Sequence, residues 1–168
     1  PHGFEYYEYL LVYVDDLLVL SHNPIAVMKA LEDFYRLKDG FEKPKRYLGA
    51  DVVEWRFGDD SKLRWSLSSS QYVKEAIRNV EEELAKSNLR LPGKSSTPMP
   101  LNYRPELDTS PLLADDAVHY FQSQISILRW AVELGRIDIY IDIALLSQHL
   151  VQPRQGHLEA VYHIYSYL

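Results

Sequence analysis

The chain has 168 residues, enough for one domain with a proper core or for two small subdomains. Its 46% apolar and 12% aromatic content excludes a disordered chain, and the absence of cysteine excludes disulfides and thiolate metal sites. A net charge of −6 argues against indiscriminate nucleic-acid binding, which rests on a basic surface, and no apolar run approaches the ~20 residues that span a bilayer.

The aromatic stretch 3–9 suits a strand that enters a run from Leu10 to Leu20 with Asp15 and Asp16 at its centre. Each half of that run has the length and β-branched content of a buried strand, which predicts a hairpin with Asp15-Asp16 at the bend. Two-residue hairpin turns favour Asn-Gly or Asp-Gly, so Asp-Asp is an odd choice. Neighbouring carboxylates also repel. A divalent cation removes that objection, because Mg²⁺ and Mn²⁺ take hard carboxylate oxygens as ligands. The plainer reading is a surface turn that uses Asp for solubility.

Asn23 and Pro24 make a helix start, with Val27, Met28, Leu31, Phe34 and Tyr35 on one face to pack on a sheet. The helix is expected to end near Asp39-Gly40. Arg36, Lys38, Lys43, Lys45 and Arg46 form a local basic cluster that softens the argument from net charge, or else a solvated loop. Residues 47–57 and 63–67 read as two strands joined by Gly58-Asp59-Asp60-Ser61. Asp59-Asp60 sits among Gly and Ser, the ordinary setting of acids in a polar turn, and is assigned no metal.

Ser68 to Ser70 can cap a helix that runs to about Ser87, with Tyr72, Val73, Ala76, Ile77, Val80 and Leu84 as its buried stripe. The Glu81-Glu82-Glu83 run is its solvated face. Five prolines between Leu91 and Pro111 read as an extended linker and a candidate boundary. Three further helices follow, over about 116–134, 138–151 and 154–168, as neighbours in a helical region. Trp130, Arg136 and His157 are read as residues that hold these helices together. The chain opens at Pro1 and stops at Leu168 inside an amphipathic pattern, so it reads as a fragment.

Tyr13-Val14-Asp15-Asp16 between apolar strands resembles the catalytic hairpin of reverse transcriptases, and Leu11 to Val19 resembles most the copia-type LTR retrotransposon branch. Further similarities follow in order. Phe34 to Gly40 is similar to that family's Phe-x-Met-Lys-Asp-x-Gly, and Tyr47 to Val52 to the strand associated with its primer grip. Leu67 to Val73, Ser96 to Met99, Gly135 to Ile139, Leu146 to Leu150, Pro153 and His157 to Ala160 also resemble family segments. Their shared order covers almost the whole chain.

The resemblance implies an α+β fold: a partial polymerase palm over 1–67, a thumb-like helix over 68–90, a proline-rich linker over 91–112 and a helical connection-like region over 113–168. It implies RNA-directed DNA polymerisation by two-metal nucleotidyl transfer, with Asp15 and Asp16 as ligands of Mg²⁺ or Mn²⁺ and Lys38 near the triphosphate. Tyr13, Tyr47, Leu48 and Gly49 would meet nucleic acid, although a buried strand tyrosine and a helix-end lysine are the plainer readings of Tyr13 and Lys38. Implied partners are an RNA or DNA template–primer, a deoxynucleoside triphosphate, and the remaining palm, fingers and RNase H segments of one polyprotein, with no membrane. The implied setting is intracellular, in a cytoplasmic virus-like particle or the nucleus. The family's third carboxylate lies on an earlier strand, so the chain alone is expected to be inactive. The alternative is a degenerate retroelement remnant that survives as a non-catalytic binding module, and a third option is an unrelated acidic α+β domain.

Overall fold

The structure is a computed structural model that describes residues 6–38, 40–59 and 61–168. It divides into two compact units, Pro1–Ser66 and Leu67–Leu168. Residues 3–5 of the expected entering strand, Asp39 and Asp60 lie outside the described residues.

In the first unit, β1 (Tyr9–Tyr13) and β2 (Asp16–Leu20) form an antiparallel two-stranded sheet. The register pairs Leu10 with Val19, Leu11 with Leu18, Val12 with Leu17 and Tyr13 with Asp16. This register sets apolar residues opposite one another along the hairpin, the arrangement that cross-strand packing rewards. It also moves the bend. Only Val14 and Asp15 are left in the turn, and Asp16 is drawn into the ladder, so the Asp15-Asp16 bend expected from sequence is displaced by one residue. The two halves are not the buried strands their composition suggests. Every residue of β1 is exposed, and only Leu17, Leu18 and Val19 of β2 are half-buried. A two-stranded sheet has too little neighbouring structure to cover both faces.

Helix α1 (Pro24–Glu32) follows, with Asn23 Oδ1 accepting from the Ala26 N–H at 3.3 Å. It packs beside β2 but ends well before the expected Asp39-Gly40. An acid at Asp33 is unfavourable at a helix C-terminus, and Phe34 and Tyr35 are poor helix formers. Those two side chains, expected on the packed face, are exposed. Lys38 consequently stands in coil, not at a helix end.

The stretch 47–57, expected as one strand, is folded back on itself. Strand β3 (Arg46–Tyr47) turns through Leu48 and Gly49 into β4 (Ala50–Trp55), pairing Tyr47 with Ala50 and Arg46 with Asp51. Both turn residues have positive φ, 52° and 87°, as a tight two-residue hairpin requires, and Gly49 makes that conformation accessible. Strand β5 (Arg64–Ser68) completes the sheet in the order β3-β4-β5. Tyr47 and Ala50 are the buried residues among those described in this unit.

The second unit is helical: α2 (Ser70–Lys86), α3 (Asp115–Glu133), α4 (Tyr140–Leu146) and α5 (Gln155–Tyr167). Val80, Phe121, Leu128, Ile139, Leu146, Val161, Ile164 and Tyr165 are all but inaccessible and belong to one core. The α2 stripe is buried at Val73, Ala76, Val80 and Leu84, with Ile77 packed against it. The helix expected over 138–151 is instead a short α-helix between two 3₁₀ turns, Ile137–Ile139 and Ser147–His149. At its start Asp138 is held by Arg136, and at its end Ser147 Oγ donates back to the Ile143 carbonyl at 2.6 Å. Such side-chain bonds compete with regular helix. Trp130, read from the sequence as a residue that holds the helices together, is half-buried, and Ala131 next to it is buried.

The proline-bearing segment 91–112 lies within the second unit. Leu91, Met99 and Tyr103 pack against the helical core, and Pro105 is buried. Backbone bonds run from Ser95 N–H to the Ser166 carbonyl at 3.2 Å and from Gln155 N–H to the Pro111 carbonyl at 2.9 Å. The segment is a strap along α5.

Candidate functional site

The β1–β2 bend is built on a strained residue. Val14 has a φ of 54° and is 86% exposed. A β-branched side chain in the left-handed region costs of order 1–3 kcal/mol. Nothing packed around Val14 explains why that strain is kept. The backbone reversal it permits brings Asp15 to the tip and Asp16 to the first position of β2, both exposed.

The β3–β4 turn lies within electrostatic reach of this tip. Burial raises the Tyr47 phenol above its ordinary value, and the Asp16 charge raises it further. The charge of Asp16 therefore acts on Tyr47, two residues singled out separately in the sequence. Tyr47 is buried, so its ring is not offered to a ligand, whereas Leu48 and Gly49 are partly exposed. Tyr13, opposite Asp16, is 49% exposed, which removes the buried-strand reading of that side chain within this chain. Lys38 is exposed, and among the described residues no hydrogen bond or ion pair joins it to Asp15 or Asp16.

The basic cluster is largely compensated. Lys43 pairs with Glu54, Arg46 Nε lies 3.3 Å from Asp51, and Lys45 lies 4.0 Å from Glu42. All of these pairs are solvent-accessible and contribute little to stability. They do cancel the charge that would have offset the acidic chain. Asp59 is exposed in its turn, the ordinary place for an acid.

Among the described residues no group of three or more His, Cys, Asp or Glu side chains is arranged to hold a metal ion. Asp15 and Asp16 are a two-carboxylate donor set. That set fits Mg²⁺, which is commonly held by one or two carboxylates together with water and substrate phosphates, better than it fits a metal needing a closed protein cage.

A second polar constellation, at the N-terminus of α5, had no local signal in the sequence beyond His157. His157 is buried; its Nδ1 accepts from the Arg154 N–H at 2.9 Å, and its Nε2–H donates to the Pro105 carbonyl at 3.0 Å. A backbone N–H can only donate and a carbonyl can only accept, so both ring roles are fixed. His149 stacks on this ring with centroids 4.1 Å apart. Asp108 accepts from the Tyr103 hydroxyl at 2.5 Å and from the Ser110 N–H at 2.7 Å. Burial alone would raise the Asp108 carboxyl, but the Ser110 hydroxyl, then the Tyr103 hydroxyl and the Ser110 N–H, outweigh it and hold it below the usual carboxylate range. Arg154, Gly156 and His157 bond to the strap at Ser110 and Pro105, and Asp108 is held within it, so the constellation is structural. Arg136 is structural too: it makes two bonds to Asp138, at 2.9 and 2.7 Å, and lies over the Tyr167 ring.

No helix among the described residues is long and apolar enough to cross a membrane. No family model matches the chain, and no solved structure matches it. The chain is 33% identical over 164 residues to a transposon Ty5-1 protein of Saccharomyces cerevisiae. The match covers 95% of this chain and 48% of that protein, so the chain spans about half the length of the curated relative it matches. This similarity supports a retrotransposon-related origin for the chain.

Proposed function

We propose that the chain is part of a copia-type reverse transcriptase and carries two of the carboxylates used in RNA-directed DNA polymerisation. The observation that carries this reading is the exposed Asp15-Asp16 pair at a hairpin bend whose preceding residue, Val14, is held at positive φ. Backbone strain of this kind gathers at functional sites, where it fixes the direction of reacting groups. The retrotransposon-related origin agrees with it, and so does the ordered run of family-like segments from Tyr13 to Ala160.

In this reading Asp15 and Asp16 hold Mg²⁺ or Mn²⁺ through carboxylate oxygens. When bound, the ions supply Lewis-acid stabilisation of the charge that develops on the attacking and leaving oxygens of phosphoryl transfer. Asp16 acts electrostatically on the buried Tyr47, and a template–primer would run past the partly exposed turn residues Leu48 and Gly49. Lys38, on coil that can adjust, would meet the triphosphate as a cation.

Titration of Mn²⁺ into the purified chain by calorimetry, beside the Asp15→Asn/Asp16→Asn double variant, tests the reading. Weak binding that disappears in the double variant is expected. Equal heats from both proteins would remove the hairpin as a metal site in this chain. Two carboxylates without a third are also expected to leave the isolated chain unable to extend a primer. A processive extension signal that Asp15→Asn abolishes would overturn that expectation.

A further inference from the structure

Helix α4 is apolar on both sides. Ile139, Ile143 and Leu146 are buried in the core of the helical unit. Ile137, in the turn before the helix, and Ile141 are 77% and 69% exposed, and Tyr140, Ala144 and Leu145 are exposed beside them. The spacing of Ile137, Ile141 and Leu145 sets three branched aliphatic residues about one helical turn apart, a ridge that the groove of another helix accepts. A helix that is apolar all round is ordinarily buried. The outward ridge of α4 therefore has the composition of an interface.

One carboxylate flanks the ridge. Asp142, between Ile141 and Leu145 in the helix, is half-buried. Burial raises its carboxyl, and among the described residues no charged or hydrogen-bonding side chain offsets that. The other charges of the region are balanced. Asp138 is held by Arg136 in two bonds, at 2.9 and 2.7 Å. Arg129 and Glu133, exposed on α3, are of opposite sign. Beyond Gln148, Arg154 shares one cavity with Glu106 and Asp108, and burial favours the neutral form of His149 there. Asp142 is thus an uncompensated negative charge beside an apolar ridge.

We propose that the outward face of α4 docks an amphipathic helix of another protein, whose apolar stripe meets Ile137, Ile141 and Leu145 and whose lysine or arginine meets Asp142. Covering the ridge would strip water from Asp142, and a desolvated carboxylate requires a cation. A second copy of this face cannot supply one, because it would bring another uncompensated carboxylate. A bilayer surface offers hydrocarbon but, where its lipids are anionic, the wrong sign of charge. The inference goes beyond the polymerase reading and stands whether or not Asp15 and Asp16 bind metal.

Fluorescence anisotropy of a labelled peptide helix, titrated with the 168-residue chain, tests the proposal. The peptide carries a leucine stripe, one lysine beside it, and alanine and glutamine elsewhere; its control has glutamine in place of the lysine. Ile137→Ser/Ile141→Ser should weaken binding of the lysine peptide about 10-fold or more, since each isoleucine would lose the gain of burial. Both side chains are exposed, so no core is opened, and circular dichroism checks that the helices remain. The lysine peptide should bind about 2- to 5-fold more tightly than its control, the worth of one accessible ion pair, and Asp142→Asn should erase that difference. No binding of the lysine peptide, or equal binding by the isoleucine variant, would overturn the site. A lysine preference that survives Asp142→Asn would overturn the charge assignment. Self-association of the chain in sedimentation, lost in the isoleucine variant, would give the face to a second copy instead.

Discussion

The two units use apolar sequence to opposite ends. In the second, Phe121, Leu128 and Ile164 on α3 and α5 are sealed in one core, and buried polar side chains such as His157 and Gln124 have partners. In the first, Leu10, Leu11 and Val12 are just as apolar and remain exposed on a two-stranded sheet. Four helices can surround a side chain, whereas a hairpin with one helix beside it shields one face. Hydrophobic composition is therefore no measure of burial. The unit that bears the candidate carboxylates is the one whose local stability rests mainly on cross-strand pairs.

Substitution puts this contrast on a scale. Phe121→Ala should destabilise the helical unit by about 3–5 kcal/mol, the usual cost of emptying a buried aromatic site. Val12→Ala, on an exposed strand, should change stability by no more than about 0.5 kcal/mol. Urea unfolding of both variants measures the difference. A Val12→Ala loss that rivals Phe121→Ala would break the contrast, because it would mean the hairpin face is covered in solution.

Gly156→Ala probes the helical unit through its polar groups. A Cβ at Gly156 would fall 1.9 Å from Asp108 Oδ2, so the carboxylate must leave the Tyr103 hydroxyl and the Ser110 N–H. Charge-assisted bonds are worth about 1.5–3 kcal/mol each, and the gain in helix propensity returns about 1 kcal/mol. A net loss of about 2–5 kcal/mol is expected in thermal or urea unfolding. A neutral result would show that Asp108 is free to move.

Elements with strong periodicity were legible in the sequence, and reversals of the chain were less so. The α2 stripe from Val73 to Leu84 is a clean 3.6-residue pattern, and the structure places that helix within about a residue of expectation. The Leu48-Gly49 turn was hidden because Tyr47 to Phe57 carries strand-forming residues on both sides of a single Gly49, and a lone glycine does not announce where such a run doubles back. The Val14–Asp15 bend was missed by one residue because the turn chemistry, which favours Asn or Gly, gave way to the better apolar register of the strands. At the candidate site the Asp pair was visible as an odd word between strands. The electrostatic effect of Asp16 on Tyr47 was not, since it depends on tertiary structure that neither local sequence displays. The strap at 91–112 shows the limit of composition: prolines mark irregular backbone, and that backbone is packed here.

Acid should weaken the helical unit in a defined window. Burial lowers the His149 pKa below its ordinary 6.5. A base whose folded pKa is depressed binds fewer protons folded than unfolded, so stability rises with pH across the interval just below 6.5 and is lost as pH falls through it. The urea midpoint should drop between pH 7 and 5, and His149→Gln should flatten that slope. Asp108 acts lower down. Its carboxyl is held below 3.8, so its contribution is intact above that value and disappears only as pH falls through the folded pKa. A slope unchanged in His149→Gln would assign the acid sensitivity to another group.

The smallest effect is the most informative about the hairpin. Val14→Gly relieves a left-handed φ that costs a β-branched residue of order 1–3 kcal/mol, while glycine loses an extra 0.5–1 kcal/mol, roughly, of backbone entropy on folding. The net should be a gain of no more than about 2.5 kcal/mol in urea unfolding. If the strain serves only the turn, Mn²⁺ affinity will not change. If Val14 is what keeps Asp15 beside Asp16, as the proposed metal site requires, the freed bend must be ordered when the ion binds. Affinity should then fall about 2- to 5-fold, the entropy just named expressed as a binding ratio. A variant that is more stable and binds metal less well would show that stability has been surrendered at this bend to aim two carboxylates.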